Sequence, residues 1–276
     1  MKIKASVISG LIATETSKMK PMPTQKLFDD LFVIQDGFAN IFLVASDDGY
    51  IAIDGGINSA RIQQELKKLN IDPSEVKTVL ITHSDIDHVN GLAAFPHAEI
   101  YLPEQEVQML DKFRLTMTLD QMQAACEQYS TFSPAPEANL FGTMEYWPED
   151  DMELIDTPQG VMVSILKNRL PYDYKLVRDG ETLCLGNKKV QATLINGHTK
   201  GLTSYLIGGK YMFVGDGLSL LDGQVHPFNA LLNLDETQHR KSIQKIMQTK
   251  GFEYLFTQHY GYGNRQDLMI ESCYSA

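Results

Sequence analysis

The segment Thr82-His83-Ser84-Asp85-Ile86-Asp87-His88 places four potential metal-ligating side chains within six consecutive positions, directly after the apolar and β-branched run 78–82. Such a run reads as a buried strand, so these side chains leave the end of a strand together. The cluster is too polar for a core; without a cation it would have to be a solvated acidic turn with incidental histidines. Imidazole nitrogens and carboxylate oxygens hold borderline-hard divalent cations without thiols. Alternation along an extended loop is expected to turn His83, Asp85 and Asp87 to one side, with a bend before Val89-Asn90-Gly91 bringing His88 round.

Around this segment the pattern reads as sheet, helix, sheet. Runs 31–35, 41–46 and 50–53, parted by turns at Asp36-Gly37 and Asp47-Asp48-Gly49, predict an antiparallel meander. Asn58 and Ser59 are expected to cap a helix with Ile62, Leu66 and Leu69 on one face. Residues 105–129 predict a helix rich in Met (109, 117, 122), followed by a Pro-rich turn at 133–136 and by Trp147. Such Met and aromatic residues usually fill a core, the alternative being a lid over a pocket. From Tyr174 a second strand-rich block has turns at Asp179-Gly180, Gly186-Asn187 and Gly208-Gly209. Asp235 and Gln238 then form a helix-start pattern, the helix running to about Lys250 with Ile243, Ile246 and Met247 on one face, before a strand at 252–257. A β-rich, helix, β order that occurs twice suggests two similar halves with sheets inside and helices outside. One domain over 1–276 is expected: a first half at 27–100, a helical or irregular insertion at 101–175 and a second half at 176–276.

Three more ligand-type residues stand at predicted strand ends near glycine: His198 in Asn196-Gly197-His198-Thr199, Asp216 in Gly215-Asp216-Gly217, and His259 after 254–257. Alone, each would more often be structural. Together they form a set, because strand ends in layered folds converge on one edge where sites form.

The H-x-D-x-D-H segment, Gly-His-Thr at 197–199, Gly-Asp-Gly at 215–217 and the late His259, in this order, resemble the metallo-β-lactamase superfamily over about residues 31–261. The resemblance implies an α/β protein, a four-layer αβ/βα sandwich with a helical insertion, and a two-metal site between the sheets. It implies His83, Asp85 and His198 at one metal, Asp87, His88 and His259 at the second, and Asp216 bridging both. Asp85 departs from the commoner histidine and is similar to the diiron members. Two divalent ions, three carboxylates and one hydroxide would then cancel in charge. Zinc is the expected metal, with iron or manganese allowed by the oxygen-richer first position. Asp54, closing the third strand, resembles the family's strand-end aspartate and is expected to orient a ligand imidazole, although an Asp-Gly-Gly turn explains it equally. His97, His226 and His239 match no family ligand; His239 is expected at the surface, and His226 is a pocket candidate. Tyr260 and Tyr262 could donate to an oxyanion or simply pack.

The reading that follows is a binuclear metal-dependent hydrolase in which a metal-bridging hydroxide attacks a small ester, thioester, lactone or phosphodiester, with Asp87 and Asp216 as the catalytic carboxylates. No Gly-x-Ser-x-Gly elbow offers another nucleophile. A diiron redox protein that reduces dioxygen or nitric oxide with an external electron donor is the alternative. An idle scaffold is disfavoured, because three clustered carboxylates repel one another unless cations offset them.

Composition narrows the partners to a small-molecule substrate. The net charge is −11, from 24 Lys and Arg against 35 Asp and Glu, and no basic run could neutralise a phosphate backbone, so no nucleic acid polymer is expected. Cys126, Cys184 and Cys273 are too few and too far apart for a disulfide framework, which suggests a cytoplasmic protein. Lys2 and Lys4 precede the mildly apolar run 7–13, but Ser9 and Gly10 interrupt it and no small-x-small cleavage site follows, unlike a signal peptide. No run approaches a membrane span, so no membrane partner is expected. An apolar insertion helix leaves room for a homodimer.

Overall fold

The computed structural model describes residues 2–131, 151–158, 160–165 and 169–270; the expected turn at 133–136, Trp147 and Cys273 lie outside the described residues. The chain starts with strand β1 (Lys2–Lys4) and helix α1 (Ala5–Thr16). The meander follows as β2 (Gln25–Phe28), β3 (Leu31–Asp36), β4 (Ala39–Ser46) and β5 (Gly49–Ile53). Helix α2 (Ser59–Lys68) is capped by Asn58, whose side chain accepts from Arg61 N. Strand β6 (Val76–Leu80), the single turn α3 (Ile86–Val89) and β7 (Glu99–Pro103) complete the first half.

The insertion departs from the helix expected over 105–129. A 3-10 turn at Glu104–Met109, strand β8 (Lys112–Leu115) and helix α4 (Leu119–Tyr129) divide that stretch. Phe113 and Leu115 alternate into the core, and Thr118 with Gln121 forms a reciprocal capping box that starts α4 afresh. Strands β9 (Asp151–Thr157) and β10 (Gly160–Ser164) follow. Among the described residues they form a four-stranded sheet in the order β1-β9-β10-β8. The apolar run near the N-terminus folds into this unit, with Val7, Ile8, Leu11 and Ile12 of α1 buried in one cluster with Met122 of α4 and Val161 of β10.

The second half comprises β11 (Lys175–Val177), β12 (Thr182–Leu185), β13 (Lys188–Leu194), β14 (Thr203–Ile207), β15 (Tyr211–Phe213), β16 (Ser219–Leu221) and β17 (Gln224–His226). Helix α5 (Glu236–Gln248), capped by Asp235, leads to β18 (Tyr254–Thr257), β19 (Gly261–Asn264) and β20 (Met269–Ile270). Two large sheets result, ordered β11-β7-β6-β5-β4-β3-β2 and β12-β13-β14-β15-β18-β19.

Strand alternation assigns the layers. Ile41 and Leu43 of β4 face Ile62 and Leu66 of α2, whereas Phe42 and Val44 face Val190, Tyr205, Phe213 and Phe256 of the other sheet. Met212 and Leu255 on the far side of the second sheet pack against Ile243, Ile246 and Met247 of α5. The architecture is therefore the expected four-layer αβ/βα sandwich, each fully buried Leu or Ile contributing about 1.5–3 kcal/mol. No described helix is long and apolar enough to cross a membrane.

Candidate metal centre

Parallel pairing sets the height of the side chains that leave the strands. Phe213 of β15 is paired with Phe256 of β18, so Asp216 and His259, each three residues on, emerge side by side. In the other sheet Ile53 of β5 is paired with Leu80 of β6, which sets Asp54 beside Thr82 and His83. Tyr205 Oη donates to Ile81 O at 2.8 Å and Thr203 N to Thr82 O at 2.9 Å, tying the two edges together. Gly215 is required at this seam: its φ is +52°, and a Cβ there would lie 2.5 Å from Thr82 Oγ1.

The loop after β6 is not extended throughout. Asp85 stands at the start of the turn α3, its backbone carbonyl accepting from His88 N, so Asp87 and His88 reach the centre from a helical turn and not by strand alternation. All seven expected ligands nevertheless meet. His83 Nε2 lies 3.2 Å from His198 Nε2, and His198 Nε2 lies 3.3 Å from Asp85 Oδ2 and 3.5 Å from Asp216 Oδ2. On the other side His259 Nε2 lies 3.2 Å from both Asp87 Oδ2 and Asp216 Oδ1, and His88 Nε2 lies 3.7 Å and 3.6 Å from the same two oxygens. The Asp216 carboxylate thus gives one oxygen to each group.

The outer ring atoms are already committed. Nδ1 of His88 lies 3.0 Å from Asp54 Oδ2, that of His198 3.1 Å from Asn233 Oδ1, and that of His259 2.9 Å from Phe38 O. Thr82 Oγ1 can donate to Asp54 and accept from His83 Nδ1 at 3.1 Å. With protons on every Nδ1, each Nε2 presents a lone pair inward, the arrangement that outer-shell acceptors impose on metal-binding histidines. Asp54 holds a positive φ of 65° and also accepts from Thr82 N at 2.7 Å.

A cation fits this donor set. His88 Nε2, His259 Nε2 and Asp216 Oδ1 are buried without a hydrogen-bond partner. His259 Nε2 sits between two carboxylate oxygens and aims at neither, as a ligand atom does when its target lies between them. Burial alone would lower the pKa of His259, but Asp216 and Asp87 outweigh it and hold the imidazole up to about 10. Burial likewise opposes ionisation of Asp85, which His198, His83 and Arg169 nonetheless keep well below the usual carboxylate range. The carboxylates therefore demand positive charge at the ring nitrogens, and divalent ions meet that demand by displacing protons.

Two buried groups escaped the sequence reading. Arg169, 1% exposed, donates from Nη1 to Asp85 Oδ1 at 3.2 Å, from Nε to Leu110 O and from Nη2 to Met109 O and Lys112 O. Its fixed positive charge sits behind Asp85, outside the expected tally of ions, carboxylates and hydroxide. Glu106 accepts from Ser84 N, Ser84 Oγ, Thr199 Oγ1 and Gly201 N at 2.5–2.8 Å, clamping the loop that bears Asp85 to the loop that bears His198. In Glu106→Gln an amide N–H2 must face two of these donors. Affinity for divalent metal, read by chelator competition, is expected to fall about 10–100-fold.

The other expected positions differ in outcome. His239 is fully buried, not at the surface: burial holds its pKa down to about 3, and its Nε2 accepts from Phe228 N at 3.1 Å. The Phe228 ring lies edge-on to His198 at 5.1 Å, and a Cβ on Gly197 would lie 2.3 Å from His239 N, so His239 supports the centre from behind. His226 pairs with Ser219 in β17 and does not line the cavity beside the cluster. Tyr260 lies edge-on to Phe228 at 6.4 Å, also outside the lining, and Tyr262 is 39% exposed and stacks on Phe256.

The sequence model of the metallo-beta-lactamase superfamily matches residues 34–104, the stretch that carries four of the seven converging side chains. Over that stretch the chain is similar to the metallo-beta-lactamase superfamily. Two curated relatives, each a probable metallo-hydrolase, come from Mycobacterium tuberculosis and Mycobacterium bovis. Each is 27% identical over 90 residues, 24% of this chain and only 29% of the relative's length. Among solved structures, a B3 metallo-beta-lactamase with an active-site glutamic acid superposes with TM-score 0.57 at 17% identity, covering 94% of this chain and 90% of that one. A metallo-beta-lactamase family protein from Thermus thermophilus gives 0.55 at 17%, over 87% and 77%. At these identities the likeness to superfamily structures is one of fold.

Proposed function

We propose that this chain is a metal-dependent hydrolase whose centre holds two divalent cations and acts on a small ester, thioester, lactone or phosphodiester. The observation that carries this reading is the double set of inward Nε2 atoms and carboxylate oxygens, with orphaned buried atoms on His88, His259 and Asp216. His83, Asp85 and His198 with Asp216 Oδ2 would hold one ion, and Asp87, His88 and His259 with Asp216 Oδ1 the other. When bound, such ions supply an activated water at neutral pH and polarise a carbonyl or phosphoryl oxygen.

The chain's own residues do the rest. Asp54, Asn233, Phe38 O and Thr82 fix the four imidazoles in one tautomer before substrate arrives. Asp87 lines the cavity with its side chain 15% exposed, so its carboxylate is placed to pass a proton from water to the leaving group. Zinc is the expected metal, and Asp85 with Arg169 admits manganese or iron. The working substrate is a small molecule met in the cytoplasm.

Elemental analysis should return about two metal ions per chain. Stripping the ions should abolish turnover of a carbonyl and phosphoryl ester panel and lower Tm, with both restored by one added metal. Undiminished turnover in fully metal-free protein would end the proposal. Iron content with a reversible absorbance change on reduction, and no hydrolysis, would replace it with the redox reading.

A further inference from the structure

Beside the metal ligands lies a cavity whose other walls are almost wholly apolar. Ile12 and Met19 come from the N-terminal segment, Phe38 from the turn before β4, Phe113 from β8, and Phe228 and Leu232 from the loop before α5. The ionisable groups in the lining are Asp85, Asp87, His198, Asp216 and His259, all members of the cluster itself. Among the described residues no lysine or arginine lines it; the guanidinium of Arg169 is spent on Asp85 and three carbonyls. The free volume is about 30 Å³, space for on the order of two waters.

From this lining we infer that the hydrolase proposed above takes an uncharged carboxylic ester with a short hydrocarbon acyl group, and that the N-terminal segment helps set this preference. The inference rests on that hydrolase reading. A carboxylate or phosphate remote from the scissile bond would meet Ile12, Phe113 and Leu232 with no partner, and an unpaired anion against an apolar wall is strongly disfavoured. A propyl group would instead displace water from surfaces that gain by its loss. In the reaction the oxygen of water bonds to the acyl carbon and the acyl C–O bond breaks. One proton of that water goes to the departing alkoxide, and the new acid releases its own to give the carboxylate.

The test uses the full chain loaded with manganese or zinc and two esters with one leaving group, p-nitrophenyl butyrate and mono-p-nitrophenyl succinate, with bis-p-nitrophenyl phosphate beside them. The neutral ester is expected to lead in kcat/KM by about a hundredfold. Thr16, half-buried at the cavity mouth, provides the converse. Thr16→Lys should raise the succinate ester's kcat/KM relative to the butyrate ester's at least about tenfold, with metal content unchanged. Met19→Lys at the same mouth serves if that variant does not fold. Independently of turnover, saturation-transfer NMR on metal-free protein should show binding of 2-hexanone and none of hexanoate. A wild-type protein that prefers the anionic esters, or lysine variants that leave the ratio unchanged, would overturn the inference while leaving the hydrolase standing. Binding of 2-hexanone without hydrolysis of any ester would refute the hydrolase reading and leave the pocket's preference intact.

Discussion

Asp216→Ala is expected to lose at least one metal ion and at least about a thousandfold in kcat/KM, the scale seen when one member of a catalytic unit is removed. Asp216 alone faces both ligand groups, Oδ2 at 3.5 Å from His198 Nε2 and Oδ1 at 3.2 Å from His259 Nε2. Burial opposes its ionisation, yet His259 and His88 keep its pKa well below the ordinary carboxylate value. Loss of this carboxylate removes one oxygen from each set of donors at once. Metal-to-protein ratio and steady-state kinetics check the prediction, with circular dichroism to separate a lost ligand from a lost fold. Full metal content and turnover in the variant would refute the shared-carboxylate reading.

Arg169→Met is expected to destabilise the fold by about 3–5 kcal/mol, the usual cost of removing one partner of a buried ion pair. The guanidinium is 1% exposed, and its loss leaves Asp85 without its guanidinium partner and takes a side-chain donor from the carbonyls of Met109, Leu110 and Lys112. Denaturant unfolding of metal-free protein measures the loss. The pair is then isolated by a cycle with Asp85→Asn, in which the double variant should be less destabilised than the sum of the single ones. Additive losses would show that Arg169 acts through the carbonyls alone. His239→Ala is no neutral control beside these variants, since the imidazole is buried and holds the Phe228 backbone.

The His/Asp cluster was legible because its side chains announce themselves locally, as strand-end residues beside turns. Glu106 and Arg169 were not, because their role exists only where distant loops meet: Glu106 clamps Ser84 to Gly201, and Arg169 reaches back to Asp85. Two misreadings had signals in plain view. His239, Ile243 and Ile246 stand at i, i+4 and i+7 of α5, so His239 shares the buried face that a surface assignment denied it. Thr118-x-x-Gln121 marks a new helix start inside the stretch read as continuous, and Phe113 with Leu115 alternates as a strand does. Methionines at 109, 117 and 122 obscured both, since their spacing suits a helix whether or not one is present. The layered architecture was readable from the meander and the two amphipathic helices, because alternation in β4 dictates which side meets α2 and which meets the second sheet.

His83, Asp85, Asp87 and His88 come from one sheet's edge, and His198, Asp216 and His259 from the other. A bound cation would therefore find the complete set of proposed donors only with the two sheets closed on each other across the Thr82–Gly215 seam. Stability from a bound ion that is absent from the transition state would, by rate-stability coupling, act as a brake on unfolding and do little to hasten folding. The ion would then govern how long each molecule lasts once made, and not how quickly it is made.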